Sequence, residues 1–555
     1  MELATSSIVV DIGSSSTRVG YAGEGSPSQL LNSCIGVREI YSSAGSNYEA
    51  ESSQTAAARE LLFPLNFSER RDGVEVVPAL YPTWRGSSGK RDGDTSPTYT
   101  LHEEAFETIV ALSCTGKPPC SAGRCAKGGR GSLGTLSTGD TMPSPDSVLR
   151  LTELCGMGAD LREQPVLLTE PNIHCREIRE KMAEILFEGL QVGCLYTAKR
   201  ALLSCVAAGR SSALVIDMGA SGLSLAPVAD SFVLDQHVSE WPVGGDAMSQ
   251  LLGAILMGHN LPVFPSFARF SAQNRVSKRA LDKPGDWDNV HPSYMHWSRM
   301  QTLSYLKEGL CRVADDPRDV ASARKPIALP NQQQQPKRRG TAAAFTPEGF
   351  IQSQLLFPCS SAASAAALLS GSSGNEGGVM ELPDGTRLEA EQVAMKARRG
   401  TLFLCFAFWA VTLRTGMLMC SASPQLPEVL FCPALLASLP GSGGGFPGIP
   451  EAVRQVAEAV EAEGNRDILS ILILTGGCSS IPGMVERLNR ELVEDPAVCG
   501  GQKVRLLAAP GSLERRQSAW IGGSILSSLS SFQAAWCSRE EYEEHGPSVV
   551  QRKCY

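Results

Sequence analysis

One short pattern occurs twice in this chain. Ile8-Val9-Val10-Asp11-Ile12-Gly13-Ser14-Ser15-Ser16 returns as Leu214-Val215-Ile216-Asp217-Met218-Gly219-Ala220-Ser221-Gly222. Each copy is an apolar, β-branched run that stops at an aspartate, turns through small residues and resumes with apolar ones, Val19 and Tyr21 in the first and Leu223 and Leu225 in the second. Such a run reads as a β-hairpin whose turn is too tight for large side chains. An internal repeat of a whole hairpin predicts two similar lobes.

The turns carry chemistry as well as shape. Successive backbone N–H groups in a Gly- and Ser-rich turn converge on an anion, and two such turns face to face can cradle the β- and γ-phosphates of a nucleotide. Gly13, Ser14, Ser15 and Ser16 would do so from one side, and Gly219, Ala220, Ser221 and Gly222 from the other. Asp11 and Asp217 end the two strands at the same point, where paired carboxylates can hold the hydration shell of Mg2+. Arg18 would add a phosphate-facing cation. Either aspartate alone is more simply the cap of its own hairpin; the duplication favours a shared ligand.

Between the copies, residues 165–169 read as a buried strand, followed by a helix with Ile178, Met182, Ile185 and Leu186 on one face and Asn172 as its N-cap. A second strand and helix span 192–208. Near the carboxyl end a strand over 468–474 runs into Thr475-Gly476-Gly477, and a helix covers 482–492. Alternating β and α elements predict a mixed sheet flanked by helices. The stretches at about 39–60, 83–100, 114–147, 313–378 and 434–450 are rich in Ser, Gly, Pro, Gln or Ala without sustained periodicity and read as surface insertions. Within one of them, the basic end of residues 332–339 is a candidate nuclear-import signal, against the plainer reading as solvated loop. Residues 402–420 are almost continuously apolar, but Arg414 interrupts them and a membrane span would put half of a globular fold across a bilayer. A translated intron or gene-model error in 399–425 is the better account.

With a formal charge of -8, the chain would repel phosphates broadly, so no membrane association and no direct sequence-specific DNA binding are expected. Seventeen cysteines would suit a disulfide scaffold, yet Met1 leads into the first strand without the apolar run of a secretion signal, and reduced thiols in cytosol or nucleus are expected. Cys114, Cys120 and Cys125, with His102 upstream, match no common zinc spacing.

Residues 11–24 resemble the opening phosphate loop of the actin superfamily. Residues 210–222 resemble its second phosphate loop, 381–385 a subdomain hairpin and 474–477 the adenosine loop. Residues 514–526 and 532–555 are similar to the end of actin almost residue for residue. The resemblance covers about two-thirds of the chain and implies a two-lobed α/β fold, actin-like in the duplicated ribonuclease H-like sense, with long disordered insertions. It implies a first lobe over 1–212 (subdomains 1 and 2, with insertions about 39–60, 83–100 and 114–147). It implies a second over 213–511 (subdomains 3 and 4, with insertions about 313–378 and 399–425), and a return to the first over 512–555. It further implies Mg2+ and ATP as ligands, with adenine and ribose held by Lys307, Glu308, Gly476, Gly477 and Arg516.

Ile12, Ala220, the run Arg70 to Val77 and the run Glu486 to Leu492 are most similar to the nuclear actin-related protein 4 subgroup, also called actin-like protein 6. Conventional actin holds its attacking water with Gln, Asp and His; the matching positions here are Arg200, Ala220 and Ser224, a set that leaves phosphate binding in place and removes water activation. The region that should form actin's intersubunit loop is rebuilt as the Ser- and Ala-rich run Tyr41 to Ala58. The resemblance thus implies a nuclear, also cytoplasmic, ATP-binding subunit of chromatin-remodelling and histone-acetyltransferase complexes with little or no hydrolysis. Its implied partners are actin, a helical segment of a scaffold subunit received near Ala519, Ile521, Leu526 and Phe532, and histones. A polymerising cytoskeletal ATPase is the alternative; a small-molecule kinase of the same superfamily would need a catalytic aspartate beside a substrate pocket, for which the sequence offers no candidate.

Overall fold

The computed structural model describes residues 6–40, 58–84, 97–119, 148–151, 156–258, 263–268, 287–313, 379–381, 387–389, 426–432, 445–494 and 503–554. The first hairpin is β1 (Ile8–Ile12) and β2 (Ser16–Tyr21), continued by β3 (Gln29–Asn32). Beyond it lie β4 (Cys34–Ile40), β5 (Ala58–Phe63), β6 (Val74–Pro78), β7 (Leu80–Thr83), β8 (Thr98–Leu101), α1 (Glu103–Thr115) and β9 (Val148–Leu151). Then come β10 (Val166–Glu170), α2 (Arg176–Glu184), β11 (Cys194–Lys199) and α3 (Arg200–Ala207). The second hairpin is β12 (Ala213–Met218) and β13 (Leu223–Ala229), followed by β14 (Phe232–Val233), β15 (Ser239–Trp241), α4 (Gly245–Gly258) and α5 (Pro292–Leu310). The pair β16 (Val379–Glu381) and β17 (Arg387–Glu389) is antiparallel, flanking the hairpin expected at 381–385. The chain closes with α6 (Ile449–Ala462), β18 (Ile471–Thr475), α7 (Met484–Leu488), β19 (Arg505–Ala508), α8 (Ser512–Ser528), β20 (Cys537–Ser538), α9 (Arg539–His545) and α10 (Val549–Lys553).

The repeat seen in the sequence extends to whole sheets. One runs β3-β2-β1-β10-β11, the other β14-β13-β12-β18-β19, with the hairpin antiparallel and the next two neighbours parallel in each. Their central strands are continuous apolar runs because parallel strands covered on both faces have no solvent side to make polar; β1 and β10 are buried at every position. The carboxyl-terminal segment returns to the first sheet, where β20 adds to β11.

Two helices join the halves. Ala201 and Cys205 of α3 pack with Ala213, Val215, Ala226 and Val228 of the second sheet. Helix α8 starts beside the second half, where the Arg515 carbonyl accepts from Gly476 N, and then lies along the first, where Trp520 Nε1 donates to the Val9 carbonyl. A third contact closes the other end: Tyr294 and Trp297 of α5 share an apolar cluster with Leu62, Leu65, Val74 and Val76 of the β4–β6 region.

Several expectations need correction. The starts of β5 and α6 and most of β8 fall within stretches expected to be insertions, because short ordered elements in Ser- and Ala-rich surroundings show no long periodicity. Asn172 does not cap α2, whose N-cap is Cys175 without a side-chain bond. Cys120, Cys125, residues 332–339 and the apolar run 402–420 lie outside the described residues. Among the described residues no helix is long and apolar enough to cross a membrane, and the ten cysteines are unpaired.

Candidate functional site

The two hairpin turns close with the same bond: Gly13 N donates to the Ser16 carbonyl at 3.1 Å, and Gly219 N to the Gly222 carbonyl at 2.9 Å. Both turns line a single cavity of about 290 Å³ at the junction of the sheets. The first contributes Asp11, Gly13, Ser14, Ser15, Ser16 and Arg18; the second contributes Asp217, Gly219, Ala220, Ser221 and Gly222. Helix α5 brings Lys307 and Glu308, the end of β18 brings Gly476 and Gly477, and α8 brings Arg516. The structure therefore gathers every residue assigned from the sequence to the nucleotide or the metal around one space, although they come from five separate segments.

Gly476 is required by geometry. Its φ is +90°, and a Cβ there would overlap the Met218 carbonyl and the Asp217 carboxylate. At the same rim Arg516 Nη2 lies 3.4 Å from Glu308 Oε1. Lys307 is buried and has two donors committed, to the Gly245 carbonyl at 2.7 Å and Ser249 Oγ at 3.0 Å, so it ties α5 to the start of α4 while facing the cavity.

The two aspartates sit in different fields. Burial would push the Asp11 carboxyl up, but Arg18 and Arg200 outweigh it together with the Thr169 hydroxyl, and the net shift is downward. Asp217 is pushed up by burial and by the charge of Asp11, which Arg200 only partly offsets. Across the cavity, burial raises Glu240 to about 7 and Asp246 to about 8.

Asp11 and Asp217 share the cavity, as the reading of paired metal-holding carboxylates requires, but their surroundings do not fit a tightly held Mg2+. Asp11 accepts from Arg18 Nη1 and Thr169 Oγ1, each at 2.7 Å, and Arg200 Nε stands 3.5 Å from Asp11 Oδ1. Unit charges of one sign ~4 Å apart repel by ~4 kcal/mol at an effective dielectric near ~20, and by about twice that when one is divalent. A hexahydrated ion between these carboxylates would meet that repulsion from the guanidinium already there.

Some cavity residues escaped the sequence reading. Tyr99 Oη donates to Glu240 Oε2 at 2.8 Å, linking β8 to β15, and Trp84 stands against Gly222. Both aromatics lie in or beside the stretch read as padding, and their isolation in low-periodicity sequence hid them. Asn172 Nδ2 donates to Ser224 Oγ, while its Oδ1 accepts from Ala201 N at the start of α3. Cys478 Sγ reaches the Gly219 carbonyl at 3.2 Å. Of the residues expected to receive a partner helix, Ala519 lines the cavity, Phe532 is buried with Tyr196 and Trp536, and Ile521 and Leu526 are partly buried against the first core.

Comparison with known proteins agrees with this architecture. The family described as actin matches residues 2–555. Proteins named actin-related protein 4 are similar over nearly their whole length: that of Oryza sativa subsp. indica is 27% identical over 99% of this chain and 98% of its own. Those of Arabidopsis thaliana and Mycosarcoma maydis are 26% and 27% identical over the same shares.

Proposed function

This chain belongs to the actin family, and from that premise we propose that it binds ATP as a structural ligand with little or no turnover and serves as a nuclear subunit of chromatin-remodelling and histone-acetyltransferase complexes. The observation that carries the nucleotide reading is the convergence of two turns closed by the same bond, Gly13 to Ser16 and Gly219 to Gly222, on one cavity. Their N–H groups suit phosphates, and the rim formed by Lys307, Glu308, Gly477 and Arg516 suits a nucleoside.

Slow or absent turnover is supported by what stands at the three positions where conventional actin handles water. Arg200 is a cation and cannot act as a base. Ala220 offers only a methyl, and its carbonyl accepts from Asp246 N. The Ser224 hydroxyl is bonded to Asn172 and also to Glu240, which leaves it no free donor to orient a water. Positioned acid–base groups are worth about 10²–10⁴-fold in rate.

A ligand held but not consumed stabilises what it holds. ATP at about 1,000 times its dissociation constant would contribute roughly 4 kcal/mol to the folded state. Scanning calorimetry with and without ATP tests this; an unchanged melting temperature overturns the nucleotide reading. The assembly role rests on the resemblance to actin-related protein 4. Affinity purification from nuclei followed by mass spectrometry should recover actin with remodelling or acetyltransferase subunits, and sedimenting filaments would instead mark a polymerising protein.

A further inference from the structure

Arg200 is the cavity residue with the least reason to be there. It is the first residue of α3, and a helix amino terminus disfavours a positive charge. It is held there by acidic and carbonyl oxygens: Nε lies 3.5 Å from Asp11 Oδ1, and Nη2 donates to the Ile12 carbonyl. Asp217, Tyr99 and Glu240 also act on its charge. The guanidinium thus stands against Asp11 and in the field of Asp217, with only 18% of its side chain exposed.

The resemblance to conventional actin puts a neutral amide at position 200 and a carboxylate at position 220; this chain has a cation and a methyl. Both changes shift the cavity in the positive direction, together by the formal charge of one divalent ion. We infer that Arg200 stands in for that ion, so that the cavity takes a nucleoside triphosphate free of metal. A guanidinium presents a planar fork of donors that matches phosphate oxygens, and it neither dissociates from the chain nor loses its charge. Arg18, beside Asp11, would meet the phosphates from the other face of the same turn. This inference rests on the nucleotide reading above.

The test is titration calorimetry of the full chain with ATP, in EDTA and in excess Mg2+. The two dissociation constants should agree within about threefold for the native protein, and Arg200→Gln should bind at least about tenfold more weakly in EDTA than in Mg2+, a difference of ~1.4 kcal/mol. Because Arg200→Gln also loses the Ile12 bond and could fold poorly, Mn2+ electron paramagnetic resonance on the native protein with bound ATP supplies a second readout, in which no protein-retained Mn2+ is expected. Native binding that falls tenfold or more in EDTA overturns the inference and leaves the nucleotide reading standing, whereas no binding in either buffer overturns both.

Discussion

Asn172 Nδ2 donates to Ser224 Oγ at 2.9 Å, and this one bond joins a loop of the first half to the second strand of the second hairpin. The same side chain accepts from Ala201 N at 2.8 Å, so it also satisfies an amino-terminal donor of the helix that carries Arg200. Asn172 is 3% exposed, with both its nitrogen and its oxygen committed. Asn172→Ala should therefore cost ~1–3 kcal/mol in urea unfolding. A double-mutant cycle with Ser224→Ala should show coupling; additive losses would mean that the bond does not join the halves.

Neighbouring glycines should behave in opposite ways. Gly476 has a positive φ and no room for a methyl, so Gly476→Ala should lower the melting temperature with or without nucleotide. At Gly477 a Cβ would meet only Arg516 Nε, at an ordinary 3.7 Å. Gly477→Ala should leave the ligand-free stability within about 0.5 kcal/mol of native and reduce the melting-temperature shift produced by ATP. Equal effects in the ligand-free protein would contradict the assignment of Gly476 to backbone shape and Gly477 to the cavity wall.

Stability should fall as pH rises through neutrality. Burial raises Glu240 from 4.5 to about 7 in the folded protein, despite bonds from Tyr99 and Ser224 and the charge of Arg200. The folded state therefore holds a proton that the unfolded chain has released across that interval. Its contribution is complete below the unfolded value and lost as pH climbs through the folded one. Asp246, raised from 3.8 to about 8, acts in the same sense, while Asp11, shifted downward, matters only in acid. Melting curves of the ligand-free protein from about pH 6.5 to pH 8, above the range in which buried His296 acts in the opposite sense, should decline, and Glu240→Gln should make the decline shallower. An unchanged slope would remove Glu240 as its source.

The duplicated hairpins were legible because strand, aspartate and small-residue turn impose a local pattern that needs no tertiary context, and because repetition raised a weak signal to a strong one. The same holds for Gly476 and Gly477, which follow an apolar run. Arg200 could be placed through the resemblance but not understood: its meaning depends on Asp11, which only the pairing of β1 with β10 and of β10 with β11 brings near. Tyr99 and Glu240 meet across a long sequence separation, and nothing in either neighbourhood announces the other. Asn172 looked like a local cap because its type favours that role; tertiary bonding to Ser224 and Ala201 prevailed.

The cluster opposite the turns should govern nucleotide release. Tyr294 Oη donates to the Asn66 carbonyl at 2.9 Å and to the Glu69 carbonyl at 2.5 Å, and its ring packs near Trp297 with centroids 5.6 Å apart. These bonds cross from α5 to the chain between β5 and β6, so they exist only while the two parts are in contact. Tyr294→Phe keeps the ring and removes them, at ~0.5–1.5 kcal/mol per net hydrogen bond. Stopped-flow release of a fluorescent ATP analogue should accelerate by roughly 2–10-fold, as that loss converts to an opening equilibrium, with the chain still folded. A rate equal to native would show that the nucleotide leaves by another route.

A partner helix should find a different set of side chains from the one expected. Phe532, with its ring 4.7 Å from Tyr196 and 5.3 Å from Trp536, is core, and its truncation would report on folding alone. At its carboxyl end, α8 and its C-cap leave two apolar side chains in solvent, Ile525, 42% exposed, and Leu529, 46% exposed. They stand four residues apart, the spacing that puts two side chains on one helical face. An amphipathic helix docks by covering such a pair, while a charge placed there is harmless to the free chain and repels an apolar occupant. Ile525→Asp with Leu529→Asp should thus leave the melting temperature and its response to ATP near native, and deplete the scaffold subunits recovered from nuclei by about tenfold or more, a loss of ~1.4 kcal/mol or greater. Undiminished recovery would move the docking surface off this end of α8, and a collapsed melting temperature would mean that these two residues support the fold instead.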